Sequence, residues 1–192
     1  MVEEVSVNNH SVASDDQRVR VIFLVGFMGS GKTSVGRILS HRLNWRFEDL
    51  DDRIQEREGR SIAQIFRESG EEGFRKAEHA ALRDLVQELN STHVVIALGG
   101  GAVVQPENHV LVNTPGGRTV FLDAGLEELW RRCQDSVERP LRGDEQHFRH
   151  LYERRLPHYR KASVRVDTGG KDVESIAKEI VATLGLRGRR RA

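Results

Sequence analysis

Three short runs of the chain are almost wholly apolar, Val21 to Val25, Val94 to Leu98 and Thr119 to Leu122. Continuous rather than alternating apolar character marks parallel strands covered by helices on both faces. Trp45 to Phe47 alternates and suggests a further short strand. Between these runs the apolar residues fall at helical spacing: Val35, Ile38, Leu39 and Leu43 after the first run, and Leu126, Leu129, Trp130 and Cys133 after the third. Phe74, Ala77, Ala81, Leu82, Leu85 and Leu89 form a longer stripe that leads into the Val94 strand, as a right-handed crossover would. A last stripe, Val173, Ile176, Ile180, Val181 and Leu184, is closed by Gly185 as the residue after the helix cap. Strand and helix signals alternate, so the pattern predicts an α/β fold around a parallel sheet.

The turn between the first strand and the first helix carries the sharpest chemistry. Gly26-Phe27-Met28-Gly29-Ser30-Gly31-Lys32-Thr33-Ser34 has the spacing of a phosphate-binding P-loop in the strand-to-helix context that such a loop needs. Its glycines let backbone N–H groups and the helix N-terminus surround an anion. Lys32 would reach the β- and γ-phosphates, and Thr33 offers a hydroxyl where Mg²⁺ bridging those phosphates needs an oxygen ligand.

Two further strand ends hold polar or permissive residues, and ligands of open α/β sheets gather at strand carboxyl ends. Asp49 and Asp51 follow the Trp45 segment. One could hold a water of the Mg²⁺ shell while the other receives the proton of an acceptor hydroxyl; equally, the pair could cap the next helix. Gly99, Gly100 and Gly101 follow the Val94 run, exposing backbone N–H groups and admitting a close ligand, unless they are a plain turn. That strand lacks a terminal acid, which shifts the metal role toward Asp49. Arg75, Arg139 and Arg155 are candidates for closing over a nucleotide or forking onto a carboxylate, although each taken singly reads as a solvated surface charge.

Composition narrows the partners. Thirty basic and 29 acidic residues leave a net charge of +1 over 192 residues, which favours neither nucleic acid nor an anionic membrane. Cys133 is the single cysteine, so an internal disulfide and a thiolate cluster are excluded; the residue fits a cytoplasmic, reducing setting as a core side chain. The eight histidines show no metal-ligand spacing. Residues 1–17 read as a polar, poorly ordered tail without a signal peptide, 18–186 as one domain, and 187–192, with Arg187, Arg189, Arg190 and Arg191, as a solvated basic tail.

The ordered blocks together resemble the shikimate kinase family. They comprise the P-loop, Phe47-x-Asp49-x-Asp51, Gly59-Arg60-Ser61-Ile62-x-x-Ile65-Phe66, Gly70-Glu71 with Phe74-Arg75 and Glu78, Gly99-Gly100-Gly101-Ala102-Val103, Arg139-Pro140-Leu141, and Arg155-x-x-x-Tyr159, within about Val21 to Leu184. The resemblance implies a three-layer P-loop kinase fold with a five-stranded parallel sheet in the order 2-3-1-4-5 and a mobile lid. It implies Mg²⁺-dependent transfer of the ATP γ-phosphoryl group to the 3-hydroxyl of shikimate, in the pathway to aromatic amino acids. By the same resemblance Asp51 is the acceptor-binding base, Asp49 the water-mediated Mg²⁺ carboxylate, and Arg75 and Arg155 the carboxylate-binding pair beside Gly99, Gly100 and Gly101. Arg139 would reach the phosphates from the lid, and Arg132 would pack on adenine. Lys171, near a variable adenine-side segment, is a weaker candidate. The expected partners are ATP and shikimate, acting on a monomer.

Two competing readings remain at this level. One is a kinase of another small hydroxylated acceptor, because acceptor choice rests on a few pocket contacts. The other is a nucleotide-dependent switch, which would leave the acceptor-side blocks without a task.

Overall fold

A computed structural model describes residues 19–89, 92–134 and 144–187. The expected N-terminal tail, the expected basic tail apart from Arg187, and the Arg139 segment lie outside the described residues. The elements run β1 (Val21–Val25), α1 (Lys32–Leu43), β2 (Arg46–Asp49), α2 (Leu50–Glu58), α3 (Ile62–Gln87), β3 (Val94–Ala97), a 3₁₀ turn (Ala102–Val104), α4 (Pro106–Val112), β4 (Gly117–Asp123), α5 (Leu126–Gln134), α6 (Glu145–Tyr159), β5 (Val164–Asp167) and α7 (Val173–Thr183).

All strand pairs are parallel, and the order is β2-β3-β1-β4-β5. This is the order that the resemblance implied. Because side chains alternate across a strand, the apolar runs feed two separate cores. Val21, Phe23, Val25, Val94, Ile96 and Phe121 face a layer with residues from α2, α3, α5 and α6. Ile22, Leu24, Val95, Val120, Leu122 and Val166 face α1 and α7.

Two elements depart from the pattern-based expectation. β2 runs to Asp49 rather than stopping at Phe47, because pairing with β3 continues to Asp49 opposite Ala97. That extension carries the acidic pair to the level of the P-loop. α3 begins at Ile62, earlier than its apolar stripe, and is interrupted at Gly70, where φ is 67° and ψ is −172°. Ser61 starts α3 with a capping box, its side chain accepting from the Gln64 amide while the Gln64 side chain accepts from the Ser61 amide. β5 and α6 were not marked by hydrophobic pattern alone.

Candidate functional site

The site lies where β1, β3 and β2 end side by side. The P-loop leaves β1 through a turn in which Gly26, Gly29 and Gly31 take φ values of 149°, 81° and 87°, a region closed to most side chains. The loop curls over Lys32, whose Nζ donates to the Gly26 carbonyl at 2.9 Å and the Phe27 carbonyl at 3.0 Å. Thr33 and Ser34 stand exposed in the first turn of α1. Ser30 is buried, and its hydroxyl has no hydrogen-bond partner among the described residues. Arg132, on α5, pairs with Glu128 and donates to the Gly29 carbonyl at 3.3 Å, so it lies against the loop.

The acidic pair serves the fold and the site together. Asp49 caps α2 by accepting the Asp51 amide on Oδ1 at 3.1 Å. Its other oxygen accepts the Thr33 hydroxyl at 2.7 Å. Asp49 thus caps a helix, as one of the two sequence readings has it, and also lies beside the P-loop hydroxyl. An oxygen-only donor pair of this kind suits Mg²⁺, which prefers few protein ligands supplemented by phosphate oxygens and water.

Across the P-loop, four polar side chains surround the glycine triplet. A methyl group added at Gly99 would lie 2.7 Å from Glu78 Oε1 and 3.2 Å from Asp51 Oδ1. One added at Gly101 would lie 2.5 Å from Arg75 Nη2, and one at Gly100 would lie 3.4 Å from Arg155 Nη1. At Gly99 and Gly101 carboxylate and guanidinium ends occupy the space where a side chain would begin, whereas at Gly100 the approach is an ordinary contact. Arg75 rises from α3 and Arg155 from α6, so two helices distant in sequence bring their cations to one loop.

Neither arginine is the solvated charge that its surroundings in sequence suggest. Arg155 is 7 % exposed, and its guanidinium lies 5.8 Å over the Phe27 ring. Burial and the nearby Arg75 charge pull Arg155 below the usual guanidinium range, against the hydrogen bond with Tyr159. Arg75 donates to Glu78 Oε2 at 2.7 Å and to Glu71 at 3.2 Å. Burial lowers Arg75, but the attraction of Glu78 and the hydrogen bonds of both acids reverse this and hold it above its ordinary value.

Glu78 and Tyr159 carry no role assigned from the sequence alone. Glu78 is fully buried; burial pushes its carboxyl upward against the opposing pull of Arg75, Gln105 and Arg155. It binds Arg75 and receives Gln105 Nε2 at 2.8 Å on the same oxygen. Tyr159 donates its hydroxyl to the Gly100 carbonyl and stacks on Phe121 at 5.4 Å, and its burial raises its hydroxyl pKa. The helical spacing of Arg75 and Glu78 was the available signal. Lys171, between β5 and α7, is bonded to Glu179 at 2.7 Å. Cys133 is buried as expected, with its sulfur 2.9 Å from where a Gly29 side chain would begin.

A parallel sheet with a P-loop after β1 and an acid-and-arginine pocket beside it defines a P-loop kinase of the small-molecule type. Residues 28–185 match the model of the shikimate kinase family. A shikimate kinase of Geobacter metallireducens is 42% identical over 177 residues, covering 91% of this chain and 97% of the relative. One of Aquifex aeolicus is 43% identical, covering 85% and 95%. The structure of a shikimate kinase from Acinetobacter baumannii in complex with shikimate superposes with a TM-score of 0.81 at 34% identity, covering 88% of this chain and 94% of that one. The chain belongs to the shikimate kinase family, whose members are ATP phosphotransferases acting on an alcohol group.

Proposed function

We propose that this enzyme transfers the γ-phosphoryl group of ATP to the 3-hydroxyl of shikimate, giving shikimate 3-phosphate and ADP. The observation that carries this reading is the convergence of Asp51, Arg75 and Arg155 on the glycine triplet beside the P-loop. A polyhydroxylated carboxylate meets that set with a hydroxyl at the aspartate and a carboxylate at the arginines.

The P-loop amides and Lys32 hold the phosphates, with the first turn of α1 directed at them. Thr33 directly, and Asp49 through water, would hold Mg²⁺, which neutralises phosphate charge when bound. Asp51 accepts the acceptor hydroxyl and takes its proton as the oxygen attacks in line. Arg75 and Arg155 fork onto the carboxylate and fix the ring, while Gly99, Gly100 and Gly101 admit it closely. Arg132 flanks the nucleotide base. Arg139 is assigned to the phosphates from the family motif and lies outside the described residues. The same reading has the enzyme act as a monomer in the cytoplasm on its two small substrates. The near-neutral net charge supports small-molecule partners over nucleic acid or membrane, and among the described residues no helix is long and apolar enough to cross a membrane.

The test is ADP release with MgATP and a panel of shikimate, quinate, gluconate and nucleoside monophosphates, with Lys32→Ala as the blank. Stimulation by shikimate alone is expected. Stimulation by another panel member would overturn the acceptor assignment, and ATP binding without stimulated turnover would favour a switch.

A further inference from the structure

Phe27 sits inside the P-loop, yet its side chain belongs to the acceptor side of the molecule. It is 1 % exposed, and its ring meets Phe148 edge to face at 4.9 Å and Tyr152 at 5.4 Å. Arg155 lies 5.8 Å over the same ring, within the range of a cation–π attraction that strengthens when water is excluded. Phe148, Tyr152, Arg155 and Tyr159 follow one another at helical spacing, so they form one face of α6 turned toward the loop. Phe148 also meets Trp130 at 5.0 Å, and Trp130 stands on α5, the helix that carries Arg132.

The backbone of Phe27 answers to the nucleotide side. Its carbonyl accepts Lys32 Nζ at 3.0 Å. An ammonium that moves to a phosphate gives up this bond, and the Phe27 peptide must adjust. Its ring cannot adjust independently, since closely packed aromatic neighbours transmit displacement. One residue thus contacts the nucleotide-binding lysine through its main chain and a carboxylate-binding arginine through its side chain.

We infer that Phe27 is a positioning residue that couples the two substrate sites, setting the Arg155 guanidinium for the acceptor carboxylate when the P-loop is occupied. This rests on the reading of Arg155 as an acceptor ligand. A ligand shifts such an arrangement only by its differential affinity for the two states, and linkage makes the effect reciprocal. Phe27→Leu retains bulk but removes the ring face under Arg155 and the edge contacts to α6.

Calorimetric titration of shikimate into the full chain, with and without MgADP, tests the inference. In the wild type, MgADP should tighten shikimate binding by about fivefold or more. In Phe27→Leu the ratio should fall to within about twofold of one. Phe27→Met provides the same comparison if the leucine variant does not fold. An unchanged ratio in the variant overturns the inference, as does equal weakening of both ligands with the ratio preserved, which is the result of mere loop packing. A wild-type ratio of one overturns it too. Wild-type protein that fails to bind shikimate in either condition instead contradicts the acceptor assignment beneath it.

Discussion

At Gly101 a single absent side chain decides what the neighbouring arginine can do. Arg75 fills the space that a methyl group would occupy, and the obstruction is the flexible end of a side chain rather than backbone. Gly101→Ala should therefore displace the guanidinium with little change in melting temperature. Loss of one charge-assisted hydrogen bond, ~1.5–3 kcal/mol, corresponds to roughly a tenfold to hundredfold rise in shikimate KM. Steady-state kinetics at saturating ATP check this, and an unchanged KM would remove Arg75 from the carboxylate site. Lys32→Ala should reduce turnover to background while the fold persists, as circular dichroism would show, because phosphoryl transfer depends on positioning and charge neutralisation. The P-loop, the acidic pair and the glycine triplet were legible in the sequence because their meaning lies in local spacing. Glu78 and Tyr159 were visible as letters of the family pattern without a role. Their roles depend on which loop the far ends of α3 and α6 reach, and no local pattern states that.

Single elements carry part of the stability through their ends. Ser61 begins α3 and satisfies the Gln64 amide, so Ser61→Ala should cost about 1 kcal/mol in urea unfolding, with an unaltered slope. Asp172 caps α7, and the hydrogen bonds it accepts from the Ser175 amide and hydroxyl hold its carboxyl below the usual range. A carboxyl depressed in the folded state stabilises above its unfolded pKa and loses that contribution as pH falls through the folded value. Asp172→Ala should thus melt lower than wild type at pH 7, with the gap narrowing in acid. Elements that announced themselves did so by continuous apolar content: β1, β3 and β4 are buried on both faces. β5 has only Val164 and Val166 to offer, and Val166 alone is buried. α6 is dense in charge and contains Pro157, which removes one backbone donor from its last turn. Its buried face, Phe148, Arg155 and Tyr159, includes a charge that a hydrophobic pattern counts as surface.

In the whole molecule, the sheet order places β2, β3 and β1 adjacent, so three loops far apart in sequence form one cleft. The proposed nucleotide and acceptor sites share that line of strand ends, and ligands bound there would stabilise the folded chain against unfolding. MgADP at a hundred times its Kd adds about 2.7 kcal/mol, which for a chain of this size is a rise in Tm of roughly 5–11 °C in a thermal scan. Lys32→Ala should lose most of that rise at the same MgADP concentration. The central claim concerns where the phosphoryl group goes. Proton NMR of the product from shikimate and MgATP, observed with and without phosphorus decoupling, tests it most directly. The account predicts one equivalent of phosphate on the 3-hydroxyl, seen as phosphorus coupling to the proton on that carbon. Phosphate on another hydroxyl, or ADP formed with inorganic phosphate alone, would contradict the placement of Asp51, Arg75 and Arg155 around the acceptor.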